Sequence, residues 1–129
     1  LTGAKLAGTK LKHCQLIMSD LTGADLKGAD FAEANLNGAN LSRVEAQGAS
    51  FVKATLAPVN MPMPNGQPSG RLWPANLADA NFQEADFTNA NLHRANFTRA
   101  ILRDAVLLDV DLSLATSDGA DIAGAIMRR

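Results

Sequence analysis

Residues 19–38 read SDLTGADLKGADFAEANLNG, four five-residue units with one pattern. Each unit has a small residue, then Asp or Asn, then Leu or Phe, then two variable positions. The pattern continues in both directions. Every fifth residue from Leu6 to Leu56, and again from Leu77 to Met127, gives 22 positions, of which 18 are Leu or Phe. Ile122 and Met127 are also large and apolar, so only Ala46 and Ser117 break the column. Two residues before each centre, 17 of 22 positions are Ala, and the exceptions Thr9, Cys14, Ser19, Val44 and Val110 are small. Asp or Asn dominates the position just before the centre, and Gly recurs two after it, at 8, 23, 28, 38, 48, 119 and 124.

A period of five excludes the common elements. A helix of 3.6 residues per turn would carry a five-residue stripe around its whole surface. A flat strand would alternate faces at each odd repeat. A chain that turns a corner every five residues buries the same two positions each time. The Gly and Asp/Asn positions then fall near the corners, and successive coils stack and pair their backbones. Ala46 is expected to leave space in the interior, and Ser117 to bury a hydroxyl or mark a fraying end.

The unit A-[DN]-[LF]-x-x resembles the pentapeptide-repeat family over residues 4–56 and 75–129. The resemblance implies an all-β solenoid, a right-handed quadrilateral β-helix with four units per coil and about five to six coils. Under that stacking Phe31 and Phe51, twenty residues apart, lie directly above one another. The whole chain, 1–129, reads as one domain.

One segment breaks the period. Residues 57–74, APVNMPMPNGQPSGRLWP, hold all five Pro and the only Trp of the protein. The register of the centres changes across it, so the chain leaves the coil there. The simplest count makes Met61 and Leu72 successive centres, with about six residues extra, and puts Asn65-Gly66 at the tip of a tight turn. The segment reads as a tolerated surface loop, as a recognition loop, or as a join between two repeat blocks. As a recognition loop its contact residues are Met61, Met63, Asn65, Leu72 and Trp73, adaptable apolar and aromatic groups on a rigid scaffold.

The rest of the chain bounds function mainly by exclusion. With 12 Lys plus Arg against 13 Asp plus Glu, the net charge is -1, without the basic surplus that direct nucleic-acid binding needs. A single Cys, Cys14, forms no internal disulfide; it falls in the small inward column and reads as a buried inert thiol. His13 and His93 point outward with no metal-ligand spacing. No phosphate-loop, zinc-protease or nucleophile-elbow motif occurs. The carboxylates recur because the repeat recurs. No catalytic residue, metal or cofactor is therefore assigned, and a filled rod offers no substrate pocket. No apolar run is long enough to span a membrane and no signal-peptide core follows Leu1, so the expected compartment is the cytoplasm. A start at Leu rather than Met reads as a fragment or a processed product.

Two surface features remain. Arg94, Arg99 and Arg103 lie on consecutive units, where they read as a contact for an acidic partner or as a solvated face beside Asp104 and Asp109. Apolar residues at outward positions gather near the C-terminus: Val106, Leu108, Leu114 and Ile126, with Ile101 nearby. They read as a homodimer or end contact, since exposed coil ends leave unpaired strand edges. Ile17 and Met18 form an isolated outward pair. Together these readings point to a non-enzymatic scaffold or protein-interaction module within a larger bacterial protein. The alternative implied by the resemblance is a DNA-mimicking modulator of a type II topoisomerase, DNA gyrase, as in the quinolone-resistance members. A mimic of that kind calls for a strongly acidic surface.

Overall fold

The corner-every-five-residues reading makes one strong demand on the backbone: positions twenty apart must pair in parallel. A computed structural model, which describes residues 1–128, meets it. Lys5 pairs with Asp25, Lys10 with Asp30, Gln15 with Asn35 and Asp20 with Asn40, and the ladder continues in that step. Each contact is reciprocal: Leu6 N–H donates to the Asp25 carbonyl at 2.8 Å and Asp25 N–H to the Ala4 carbonyl at 2.9 Å. Four five-residue units therefore make one turn. Most sides are too short to be strands and contribute a single bridged residue each.

The corners explain the side-chain chemistry. The second residue after each centre has positive φ at 21 positions, thirteen of them not Gly, as in a turn of type II. The turn closes on itself, as where Ala24 N–H donates to the Leu21 carbonyl at 2.9 Å. The Asp or Asn before each centre holds the corner from outside. Its side-chain oxygen accepts the N–H two residues on, as from Asp20 to Thr22 at 3.0 Å and from Asn96 to Thr98 at 2.9 Å. The Asx residue thereby satisfies a donor that the ladder leaves free.

The interior is the stack of centres and Ala positions. Leu21 to Leu56 and Leu77 to Leu107 are buried along the centre column. Phe31 lies on Phe51 with ring centroids 5.2 Å apart and planes 2° from parallel, and Phe51 lies on Phe87 at 4.9 Å and 8°. Phe82 meets Phe51 edge-on at 5.8 Å. Ala46 is fully buried and its N–H donates to the Asn81 carbonyl, so it lies one level from Phe82 and leaves room for that ring. Ser117 buries no hydroxyl; it is exposed in the last coil. Cys14 is half-buried, because the first coil is covered on one side only.

The interruption departs from the sequence-based count. Asn40 pairs with Asn76, thirty-six residues on rather than twenty, so the insert adds sixteen residues and not six. Leu56 and Leu77 are the successive centres. Met61 and Leu72 are not centres at all; they lie in an antiparallel hairpin of β1 (Val59–Pro62) and β2 (Pro68–Trp73). The other two strands, β3 (Val106–Leu108) and β4 (Ile126–Arg128), are parallel neighbours in adjacent coils. The repeat pattern read from the sequence runs to residue 129, and Arg129 lies outside the described residues. No helix among the described residues is long and apolar enough to cross a membrane.

Candidate functional site

The hairpin is built from its prolines and one tight turn. Pro64 and Asn65 occupy the central positions, and Gly66 N–H donates to the Met63 carbonyl at 2.8 Å. Gly66 takes a φ of 84°, a value that a side chain would resist. Asn65 accepts the Gln67 N–H at 2.9 Å, so its side chain shapes the tip. The register pairs Val59 with Trp73, Asn60 with Leu72 and Met61 with Arg71, and it breaks between Met61 and Pro62. At the break the Ser69 hydroxyl donates to the Met61 carbonyl and accepts the Arg71 N–H, filling the gap in the ladder.

The base of the hairpin is fixed to the side of the rod. Ala57 N–H donates to Asn37 Oδ1 at 2.9 Å, and the Ala57 carbonyl accepts the Gly38 N–H at 2.9 Å. A β-carbon added to Gly38 would lie 2.6 Å from Met18 Sδ and 2.9 Å from Val59 Cγ2. Gly38 is thus the floor on which Val59 and Met18 meet. Met18 is therefore no isolated surface residue: it shares the floor that seats the hairpin. Val59 and Met61 are half-buried on the seated side of β1, while Asn60 and Pro62 are exposed. Met63, Leu72 and Trp73 are 42%, 40% and 50% exposed.

The second apolar feature forms where β3 and β4 adjoin. Val106 lies beside Ile126 and Leu107 beside Met127. Val106 and Leu108 are half-buried, whereas Ile126 and Leu114 are 52% and 65% exposed. Inside the same coils the interior opens into a cavity of about 150 Å³, lined by Phe97, Leu102, Leu107, Leu112, Ile122 and Met127.

The polar candidates do not converge. Arg94, Arg99 and Arg103 belong to units on successive sides of the coil, so they make no common patch. Arg99 holds Asp79 through Nε at 2.7 Å and Nη2 at 3.1 Å, and Arg103 Nε reaches Asp121 at 2.6 Å. The Arg99 contact holds the Asp79 carboxyl below the usual range and raises the guanidinium in turn. Asp20 and Asp111 are lowered by the Thr22 and Ser113 hydroxyls and N–H groups, and Asp121 by the Ala123 N–H and then Arg103. His13 Nδ1 lies 3.7 Å from Glu33, and His93 Nδ1 lies 2.7 Å from the Ser113 hydroxyl. Burial pushes the Cys14 thiol up, away from reactivity. Among the described residues no three His, Cys, Asp or Glu side chains are grouped to hold a metal ion.

Sequence reasoning missed the seat itself. The signal was available in Pro58. Two after the Leu56 centre, it stands where every regular corner needs positive φ, which proline's ring forbids.

A family model for pentapeptide repeats, eight copies, matches residues 1–38, 19–57, 75–113 and 90–129, on both sides of the hairpin. No curated protein matches the chain. Among solved structures it is similar to alr5209, a pentapeptide repeat protein from Nostoc Pcc 7120, at 24% identity and a TM-score of 0.56, covering 77% of this chain and 84% of that one. It is similar to trypsin-treated QnrB1, a plasmid-mediated fluoroquinolone resistance protein, at 21% identity and a TM-score of 0.52, covering 96% of this chain and 65% of that one. A third, the pentapeptide repeat protein Rfr23 from the cyanobacterium Cyanothece 51142, is 24% identical with a TM-score of 0.43, covering 96% of this chain and 91% of that one. At these identities the likeness to alr5209 and to QnrB1 is one of fold.

Proposed function

This chain belongs to the pentapeptide-repeat family, and we propose that within it the protein is a non-enzymatic scaffold whose hairpin, residues 57–74, recognises another protein. The finer architecture of this reading is one domain, a right-handed rod of five to six coils. The observation that carries it is the seating of the hairpin. A merely tolerated loop needs no floor, yet Gly38, Met18, Asn37 and Val59 are arranged to hold this one. Met63 near the tip, and Leu72 and Trp73 on opposite faces of β2, stay exposed to solvent, and they are residue types that anchor interfaces. Asn65 acts by shaping the tip. A second contact in this reading is a homodimer through Val106, Leu108, Leu114 and Ile126 in the C-terminal coils.

The test is a pull-down from source lysate read by mass spectrometry, with two baits. One is the intact protein. In the other a single glycine replaces residues 58–74, which removes the sixteen extra residues and supplies the positive φ that the corner needs. A partner held by the intact bait alone supports the recognition role; identical lists overturn it.

The gyrase alternative draws less from the surface. A DNA mimic needs a continuous acidic strip, but Arg99 and Arg103 are interleaved with Asp79 and Asp121, and residues 1–74 carry seven basic and five acidic side chains. Inhibition of gyrase supercoiling by the intact protein would reinstate it.

A further inference from the structure

We propose that the hairpin docks an extended apolar peptide segment bearing a carboxylate. This deepens the recognition reading above and rests on it. The charge pattern points to the carboxylate. Arg71 is the single charged residue of 57–74, and it pairs across the hairpin with Met61, next to the Trp73–Val59 pair. On the coils that the hairpin lies against, the outward residues of that side are Gln15, Ile17, Met18, Asn35, Asn37 and Thr55, none of them charged; Arg94 and Asp111 follow on the same side in the coils beyond Thr55. Arg99 and Arg103 have carboxylate partners, whereas Arg71 has none within 4 Å among the described residues. An unpaired guanidinium amid apolar groups is complementary to a carboxylate amid apolar groups, and it binds one with two parallel hydrogen bonds.

The backbone points to an extended segment. The hairpin is a two-stranded sheet, so β2 has one neighbour and one free edge. Gly70, at a φ of 78°, breaks the strand beside the register shift, and from Arg71 to Trp73 the edge is regular, holds no proline and can pair with an incoming chain. Alternate side chains of such a segment would meet Leu72 on one face and Arg71 with Trp73 on the other. The cost of ordering the site is already low, because five prolines and the Gly38 seat hold it before any partner arrives.

The experiment pans a random dodecapeptide display library on the intact protein, on Arg71→Glu and on the single-glycine replacement. Enriched peptides are expected to carry Asp or Glu among apolar residues on the intact protein, to switch to Lys or Arg on Arg71→Glu, and to vanish on the replacement. A selected peptide should shift the emission of Trp73, the sole tryptophan, and bind at least about tenfold more weakly to Arg71→Glu, with Arg71→Lys recovering part of the loss. No enrichment, enrichment without acids, or the same peptides on all three proteins overturns the inference. So does an emission shift caused by anionic lipid vesicles and not by peptides. If a lysate partner still needs the hairpin while the library yields nothing, the recognition reading stands and the peptide inference alone falls.

Discussion

At the residue scale the outer corners obey a rule that the period alone does not state. The Asp and Asn side chains before the centres stack along the rod, roughly 4.8 Å from one coil to the next. No Asp lies on another Asp: Asp20 faces Asn40, Asp30 faces Ser50, and Asn91 faces Asp111, with Asp25 and Glu45 the one acidic neighbour pair. Ser50 lies between Asp30 and Asp86 and holds the Val52 N–H only weakly, at 3.5 Å. Ser50→Asn should tighten that corner and stabilise by about 0.5–1 kcal/mol. Ser50→Asp gains the same bond but places three carboxylates in a row, so it should be about 1–2 kcal/mol less stable than the Asn variant at pH 7. Protonation removes that repulsion, so the gap between the two variants should close in acid, at about pH 3. Urea melts at the two pH values read this directly. In the parent protein the sign is opposite. Asp20, Asp79, Asp111 and Asp121 are lowered in the fold, so their contribution is complete above the unfolded carboxyl value of about 3.9 and is lost as pH falls through their folded values. The thermal midpoint should be level from pH 7 to about 5 and fall below about 4; a midpoint that rises on acidification would contradict this. The two inward columns and the corner role of Asp and Asn were legible from composition at fixed spacing. The exposure of Ser117 was not, because the repeat marks which way a residue points and not how many coils cover it.

At the element scale the hairpin shows where that legibility stops. A change of register was plain, but its size was not. Met61 and Leu72 are large apolar residues near centre spacing, and periodicity cannot tell an inward Met from one lying on a hairpin. The deciding groups are Pro58, whose ring excludes the corner, and Gly38, twenty residues before it, which receives Val59 and Met18. That contact is made across coils, so no local pattern announces it. Gly38→Ala should press on Val59 Cγ2 and destabilise by about 1–3 kcal/mol, part of it from positive φ. Amide exchange should then quicken in residues 57–74 more than in the repeats around Phe31 and Phe51. Equal quickening everywhere would mean that Gly38 serves the rod and not the hairpin.

At the scale of the whole molecule the rod and its attachments separate. The ladder resumes from Asn40 to Asn76 as if the hairpin were absent, and the Phe31, Phe51 and Phe87 stack crosses that level without a break. The proposed homodimer contact lies in the C-terminal coils, where Ile126 lies beside Val106. Sedimentation should show a concentration-dependent dimer that Ile126→Lys abolishes and hairpin removal leaves intact; a monomer at high concentration contradicts it. The claim on which the rest depends is that sixteen residues, and no other number, stand outside the coil. Thermal melting of two replacements tests it, with residues 58–74 exchanged for one glycine or for two. The one-glycine chain should unfold in a single transition within about 5 °C of the parent, and the two-glycine chain, one residue out of register, should melt well below it. Equal melting of the two, or loss of folding in the one-glycine chain alone, would contradict the account.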